Sequence, residues 1–169
     1  MKKIFMLLLL FYSTNIFSQE IFVAVENKNY EQISQLAKSA NNVNLRGKNN
    51  MTPIYKAIGL NDLKTVKILM ENGADITLKA NSNWTPLMVA CQSADLEMAT
   101  YLVGKGADIN AKDDHNWNPI IVASRNGQTE IVEFLIKKGV DVNSLAQDMS
   151  SPLIIAAYIR ALQSCKATT

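Results

Sequence analysis

A single histidine, His115, stands in the chain, and no second metal ligand lies at helical or loop spacing from it. Zinc and acid–base sites need several such groups held in one geometry, so His115, beside Asp113 and Asp114, reads as an exposed, solvated side chain. A Gly-rich phosphate loop, a strained nucleophile turn and a zinc-ligand pattern are missing as well. No catalytic residue, metal site or cofactor is assigned, and the chain is read as a non-enzyme. Charge of one sign is not in excess either: Lys plus Arg number 17 and Asp plus Glu 15, and setting aside Lys2 and Lys3 leaves 15 of each. That balance argues against a nucleic-acid partner or an acidic membrane surface, both of which call for clustered positive charge.

The N-terminal apolar run, Ile4 to Tyr12, is nine residues long, short of the about 20 that a bilayer-spanning helix needs. Lys2 and Lys3 precede it and the more polar stretch Ser13 to Ser18 follows it, which is the layout of a secretory signal peptide cut after Ser18. Residues 1–18 are therefore expected to be removed and the mature chain exported, periplasmic or secreted, with no stable membrane anchor. A helix packed on the following segment, or a weak anchor left uncleaved, are the alternatives. No Cys follows the run, which speaks against a lipid-modified N-terminus.

Against these absences stands a repetition. Shifting the chain by 33 residues superposes Thr52-Pro53, Thr85-Pro86, Asn118-Pro119 and Ser151-Pro152, and equally Gly73-Ala74-Asp75, Gly106-Ala107-Asp108 and Gly139-Val140-Asp141. Two independent signatures on one period mark a repeat architecture. Its unit has a physical reading. Thr, Asn or Ser before Pro starts a helix, because the side-chain oxygen accepts a bond from an orphan N–H and Pro at the first position loses none. A short apolar helix follows, Ile120 to Ala123 or Leu87 to Ala90, with Ala57, Ala90 and Ala123 in one small slot. Asn126-Gly127 breaks it. From Thr129 to Lys137 the spacing of Ile131, Val132, Phe134 and Leu135 predicts a second helix, with Glu130, Glu133 and Lys137 on its outer face. Gly139 ends that helix in the left-handed region, and Asn50, Asn83 and Asn116 share a slot where Asn tolerates the same backbone.

These residues resemble the ankyrin repeat, whose pattern runs roughly D-x-x-G-x-T-P-L-H-x-A and then G-x-x-x-I-V-x-x-L-L-x-x-G-A-D-V-N. TPLMVA at 85–90, GADINAKD at 106–113 and NGQTEIVEFLIKKGVDVN at 126–143 carry the resemblance, which extends over most of residues 20–160. It implies an all-α ankyrin-repeat solenoid with a continuous stripe of core, each repeat leaning on its neighbours. Two departures bear on rigidity. The His that ties helix to loop in the family is here Tyr55, Met88, Ile121 and Ile154, so those hydrogen bonds are expected to be missing. The turn Gly is kept at Gly127 and replaced by Asn61 and Ala94.

Residues 19–46 form the expected N-terminal cap repeat, with Ala24 in the small slot, Leu36 in the slot of Leu69 and Leu102, and Glu26, Lys28, Glu31 and Gln35 facing outward. Full repeats follow at 47–79, 80–112 and 113–145. The last copy, 146–169, begins normally at Ser151-Pro152 and then loses register. It is either a short C-terminal cap or a truncated copy; truncation would expose apolar surface and drive self-association of an otherwise monomeric chain. Cys91 is expected to be buried in a small slot, about two repeats from Cys165. Helices pack about 10 Å apart whereas a disulfide needs Cα atoms within about 7 Å, so no internal bridge is expected.

Met51, Trp84 and Trp117 each precede a helix-start dipeptide and form a ladder along the loop tips. In the family that slot, and the tip residues here numbered Lys48, Asn49, Asn81, Ser82, Asp114 and His115, point outward and contact partners. Trp is also enriched in interface hot spots. The competing reading folds each indole back on its own loop. Gly59, Leu60, Gln92, Ser93, Arg125 and Asn126, inner-helix positions, are expected to complete a concave surface adjoining the ladder. The function expected is that of a protein-binding module; the alternative is an accessory, inhibitor or immunity-type protein that covers a partner enzyme.

Overall fold

The structure, a computed structural model, describes residues 20–38, 43–149 and 151–153. The expected signal peptide, Cys165 and the tail from 154 onward lie outside them. Helix α1 covers residues 20–26, and α2 Tyr30–Lys38, α3 Pro53–Gly59, α4 Leu63–Glu71, α5 Pro86–Gln92, α6 Leu96–Gly104, α7 Pro119–Arg125 and α8 Thr129–Lys137 follow. No strand occurs among the described residues, so the fold is all-α, as expected. The chain divides at Leu78 and Lys79 into two compact units. In the first, α4 packs on α2 and α3; in the second, α5 packs on α6 and α7, and α8 on α6 and α7.

Helices α3, α5 and α7 start at the proline of their repeats, which α1 lacks. Asn118 Oδ1 accepts from the Ile121 N–H at 3.1 Å and Thr85 Oγ1 from the Met88 N–H at 3.3 Å, the cap bonds read from the sequence. Thr52 departs from them: its hydroxyl is buried without a partner, and the Tyr55 N–H bonds the Thr52 carbonyl instead, at 3.0 Å. The second helices α4 and α6 carry side-chain caps of their own, whereas Gln128 before α8 makes none. Asp62 accepts from the N–H and hydroxyl of Thr65 at 3.1 and 2.7 Å, and Asp95 from the Met98 N–H at 2.9 Å.

The left-handed slots obey the period more strictly than the residue types do. Between paired helices, Lys28, Asn61, Ala94 and Gly127 have φ of 51°, 50°, 61° and 69°. Loss of the turn glycine at Asn61 and Ala94 therefore changes the strain and leaves the turn. An alanine there costs about 1 kcal/mol, because its Cβ crowds the following carbonyl. After the second helices Gly73, Gly106 and Gly139 are left-handed, and at the tips Asn50, Asn83, Asn116 and Met149. The aspartate after each of those glycines closes a small side-chain turn: Asp75, Asp108 and Asp141 accept from the N–H two residues on, at 2.8, 2.8 and 2.9 Å. Asparagines link one repeat to the next: Asn44 Oδ1 takes the Asp75 N–H at 2.8 Å and Asn110 Oδ1 the Asp141 N–H at 2.9 Å.

The helix-to-loop tie expected to be missing is present in the first unit, where the Tyr55 hydroxyl donates to the Leu78 carbonyl at 2.7 Å. Phenol replaces imidazole as the donor. In the 113–145 repeat the apolar Ile121 makes no such bond, but Asn118 Nδ2, three residues earlier, donates to Ser144 Oγ at 2.9 Å and ties helix start to loop.

The small slot Ala57, Ala90 and Ala123 is wholly buried, as are Leu69, Leu102, Ile131 and Leu135. Truncating one such leucine to alanine costs about 2–5 kcal/mol. Val132 and Phe134 of α8 are half-buried, while Glu130, Glu133 and Lys137 face solvent. Glu26, Lys28, Glu31 and Gln35 of the first repeat are exposed, as read. Cys91 is buried, and desolvation pushes its thiol up to about 12 from 9.0, so it packs as a neutral, small apolar group.

Candidate functional site

Backbone pairing across its base closes each tip. The N–H of Gly47 bonds the Met51 carbonyl at 2.8 Å, that of Ala80 the Trp84 carbonyl at 2.9 Å and that of Asp113 the Trp117 carbonyl at 3.0 Å. At the first two tips Asn49-Asn50 and Ser82-Asn83 are both left-handed, as a tight hairpin turn requires. The third differs because Asp113 is buried and its Oδ1 accepts from the N–H groups of His115 and Trp117, each at 2.8 Å. Only Asn116 is left-handed there.

Within the second unit the tips are bonded to one another. The Asp114 N–H reaches the Ser82 carbonyl at 3.0 Å, and Asn83 Nδ2 donates to Asp114 Oδ1 at 2.5 Å. Gln147 continues the strip: its N–H bonds the His115 carbonyl at 3.0 Å and its Nε2 the Asp114 carbonyl at 2.7 Å. Ser82, Asp114 and His115 are thus brought together through their main chains, with their side chains exposed. Asn83, Asp113 and Gln147, which hold the strip, were not among the expected site residues. Asp113 had a signal in the sequence, as the only acid in the slot shared with Gly47 and Ala80.

Trp84 and Trp117 are half-buried rather than exposed. The indole of Trp117 packs on Ile121 and Ala146, the Arg125 guanidinium lies over it at 4.6 Å, and the His115 ring is tilted 6.3 Å away. Gln92 and Arg125 are exposed at the C-terminal ends of α5 and α7, two helices in contact. In the first unit Lys48 and Asn49 are exposed and Met51 is half-buried. Leu60 and Ser93 are half-buried, and Gly59 and Asn126 exposed.

The acid–base content of this surface is small. His115 Nδ1 stands 3.6 Å from Asp113 Oδ2, and the other oxygen of that carboxylate is taken by two backbone N–H groups. Among the described residues no cluster of three His, Cys, Asp or Glu side chains is placed to hold a metal ion, and no helix is long and apolar enough to cross a membrane. Tips fixed by hydrogen bonds beside half-buried indoles offer a surface for a macromolecule.

Comparison with curated proteins finds no match. A family model described as ankyrin repeats, in three copies, matches residues 21–113 and again 109–167. With the 33-residue period, the capped helix pairs and the left-handed slots on the same frame, the chain belongs to the ankyrin repeat family.

Proposed function

We propose that the chain is a non-enzymatic module that binds a partner protein through its loop tips and the adjoining ends of its first helices. Ankyrin repeats in general serve protein–protein interaction. The observation that carries the reading here is the hydrogen-bonded strip from Ser82 through Asp114 and His115 to Gln147. Tips held in this way lose little conformational freedom on docking, so more of the contact energy is left as affinity. Trp84 and Trp117, with Arg125 over Trp117 and Gln92 exposed at the end of α5, are the residues assigned to the contact, and Lys48, Asn49 and Met51 form the corresponding tip of the first unit.

Affinity capture from an extract of the source cell, with the native chain beside a Trp84→Ala, Trp117→Ala double variant of unchanged circular dichroism, tests the proposal. A protein retained by the native chain and lost by the variant supports it. Equal retention by both moves the site off these tips. Export is part of the same proposal, supported by Lys2, Lys3 and the run Ile4 to Tyr12. Intact mass of the protein recovered from cells is expected to start at Gln19, and a chain that keeps Met1 would overturn export by cleavage.

A further inference from the structure

We infer that the segment of the partner received by the second unit carries an aspartate or glutamate side chain, bound by Arg125 where it lies over Trp117. The inference rests on the docking surface proposed above and adds the chemistry of its occupant. Helices α5 and α7, PLMVACQ and PIIVASR, hold one charged residue between them, Arg125. It is exposed, its guanidinium stands 4.6 Å over the indole, and among the described residues it has no carboxylate partner. The two acids of the tip that carries Trp117 are engaged elsewhere: Asp113 is buried and accepts two backbone N–H bonds, and Asp114 accepts from Asn83.

A guanidinium over an aromatic ring has less conformational entropy left to lose, while its N–H donors stay unpaired. A planar carboxylate matches that fork with two parallel bonds. The indole below is itself positioned, by the Asp113 bond to its backbone N–H at 2.8 Å and by packing on Ile121 and Ala146. Its half-exposed edge offers apolar surface for a residue next to the acid. A phosphorylated segment, with nearly two charges, calls for a cluster of cations that α5 and α7 do not supply.

Selection of randomised displayed peptides on the full chain tests the inference. The expected outcome is a shared Asp or Glu beside an apolar residue. A synthetic peptide of the selected sequence should lose about tenfold or more in affinity on Arg125→Gln, the usual worth of a charge-assisted bond. Changing the peptide's acid to its amide should cost a similar factor, and Arg125→Lys, charged but without the fork, should fall between. Circular dichroism of each variant excludes unfolding. Selected peptides without an acid that still need Trp117, by loss on Trp117→Ala, would overturn the inference and leave the docking surface standing. Peptides indifferent to Arg125, Trp84 and Trp117, or no enrichment at all, would count against both.

Discussion

The tips at 47–51 and 113–117 occupy one place in two repeats, share the backbone bond across their base, and are held by different chemistry inside it. At the first, Gly47 has no side-chain acceptor to offer and only its carbonyl takes the Asn50 N–H, at 3.2 Å; Asn49 and Asn50 are both left-handed, and Arg46 Nη1 closes on the Asn50 carbonyl at 2.8 Å. The tip at 80–84, with Ala80 at its base, also takes two left-handed residues. At the third, the Asp113 carboxylate accepts from the two N–H groups inside the loop and one left-handed residue is enough. A single acceptor at the base of the loop therefore changes the conformation of its tip, two residues away.

The largest expected effect tests that carboxylate. Asp113→Ala should cost about 2–3 kcal/mol in urea unfolding, because two part-buried N–H bonds to a charged acceptor are lost. In the first unit Gly47→Ala should cost about 1 kcal/mol, since its new Cβ would meet Phe22 Cζ at 2.8 Å and the ring must give way. Equal costs at the two positions would erase the distinction. Next come the helix starts. Asn118→Ala removes both the cap and the bond to Ser144 and should cost about 1–2 kcal/mol. Thr52→Val, where the hydroxyl has no partner, should stay within about 0.5 kcal/mol of the parent. A large loss there would reveal a cap bond after all. The turn slot gives a mirrored pair of smaller size: Ala94→Gly should stabilise and Gly127→Ala destabilise, each by about 1 kcal/mol, or about 2–4 °C in thermal midpoint. Shifts of the same sign would show that packing, and not φ, governs the slot. The smallest change is Met149→Asn, which should add about 0.5 kcal/mol at φ 62°, and a loss would mean that the Met149 side chain is used.

Much of this was legible in the residues. Thr129–Lys137 emerged as helix α8 with the bounds read from its spacing, and α5 and α7 run two residues past the stretches read for them. Asn50, Asn83, Asn116 and Gly139 are left-handed as expected. The Tyr55 tie does not follow from the family pattern, which has an imidazole in that slot, whereas here a phenol hydroxyl reaches the Leu78 carbonyl. The indoles were expected to stand out from the tips, yet Trp117 packs on Ile121 and Ala146 beneath Arg125. The distance from Trp117 to Arg125 and Ala146 along the chain hid that contact.

The sequence by itself determined the period, the helix pairs, the caps at Thr85 and Asn118 and the left-handed slots at Asn50, Asn83, Asn116 and Gly139. Those features depend on residues a few positions apart, and repetition at 33 residues reports each of them several times. Only the tertiary structure decided how the tips bond to one another through Asn83, Asp114 and Gln147, and how an arginine comes to lie over an indole. The tip bonds join residues 31 and 33 positions apart and exist only once neighbouring repeats have stacked, while Arg125 meets Trp117, 8 positions away in its own repeat, only once the loop has folded back on its helix.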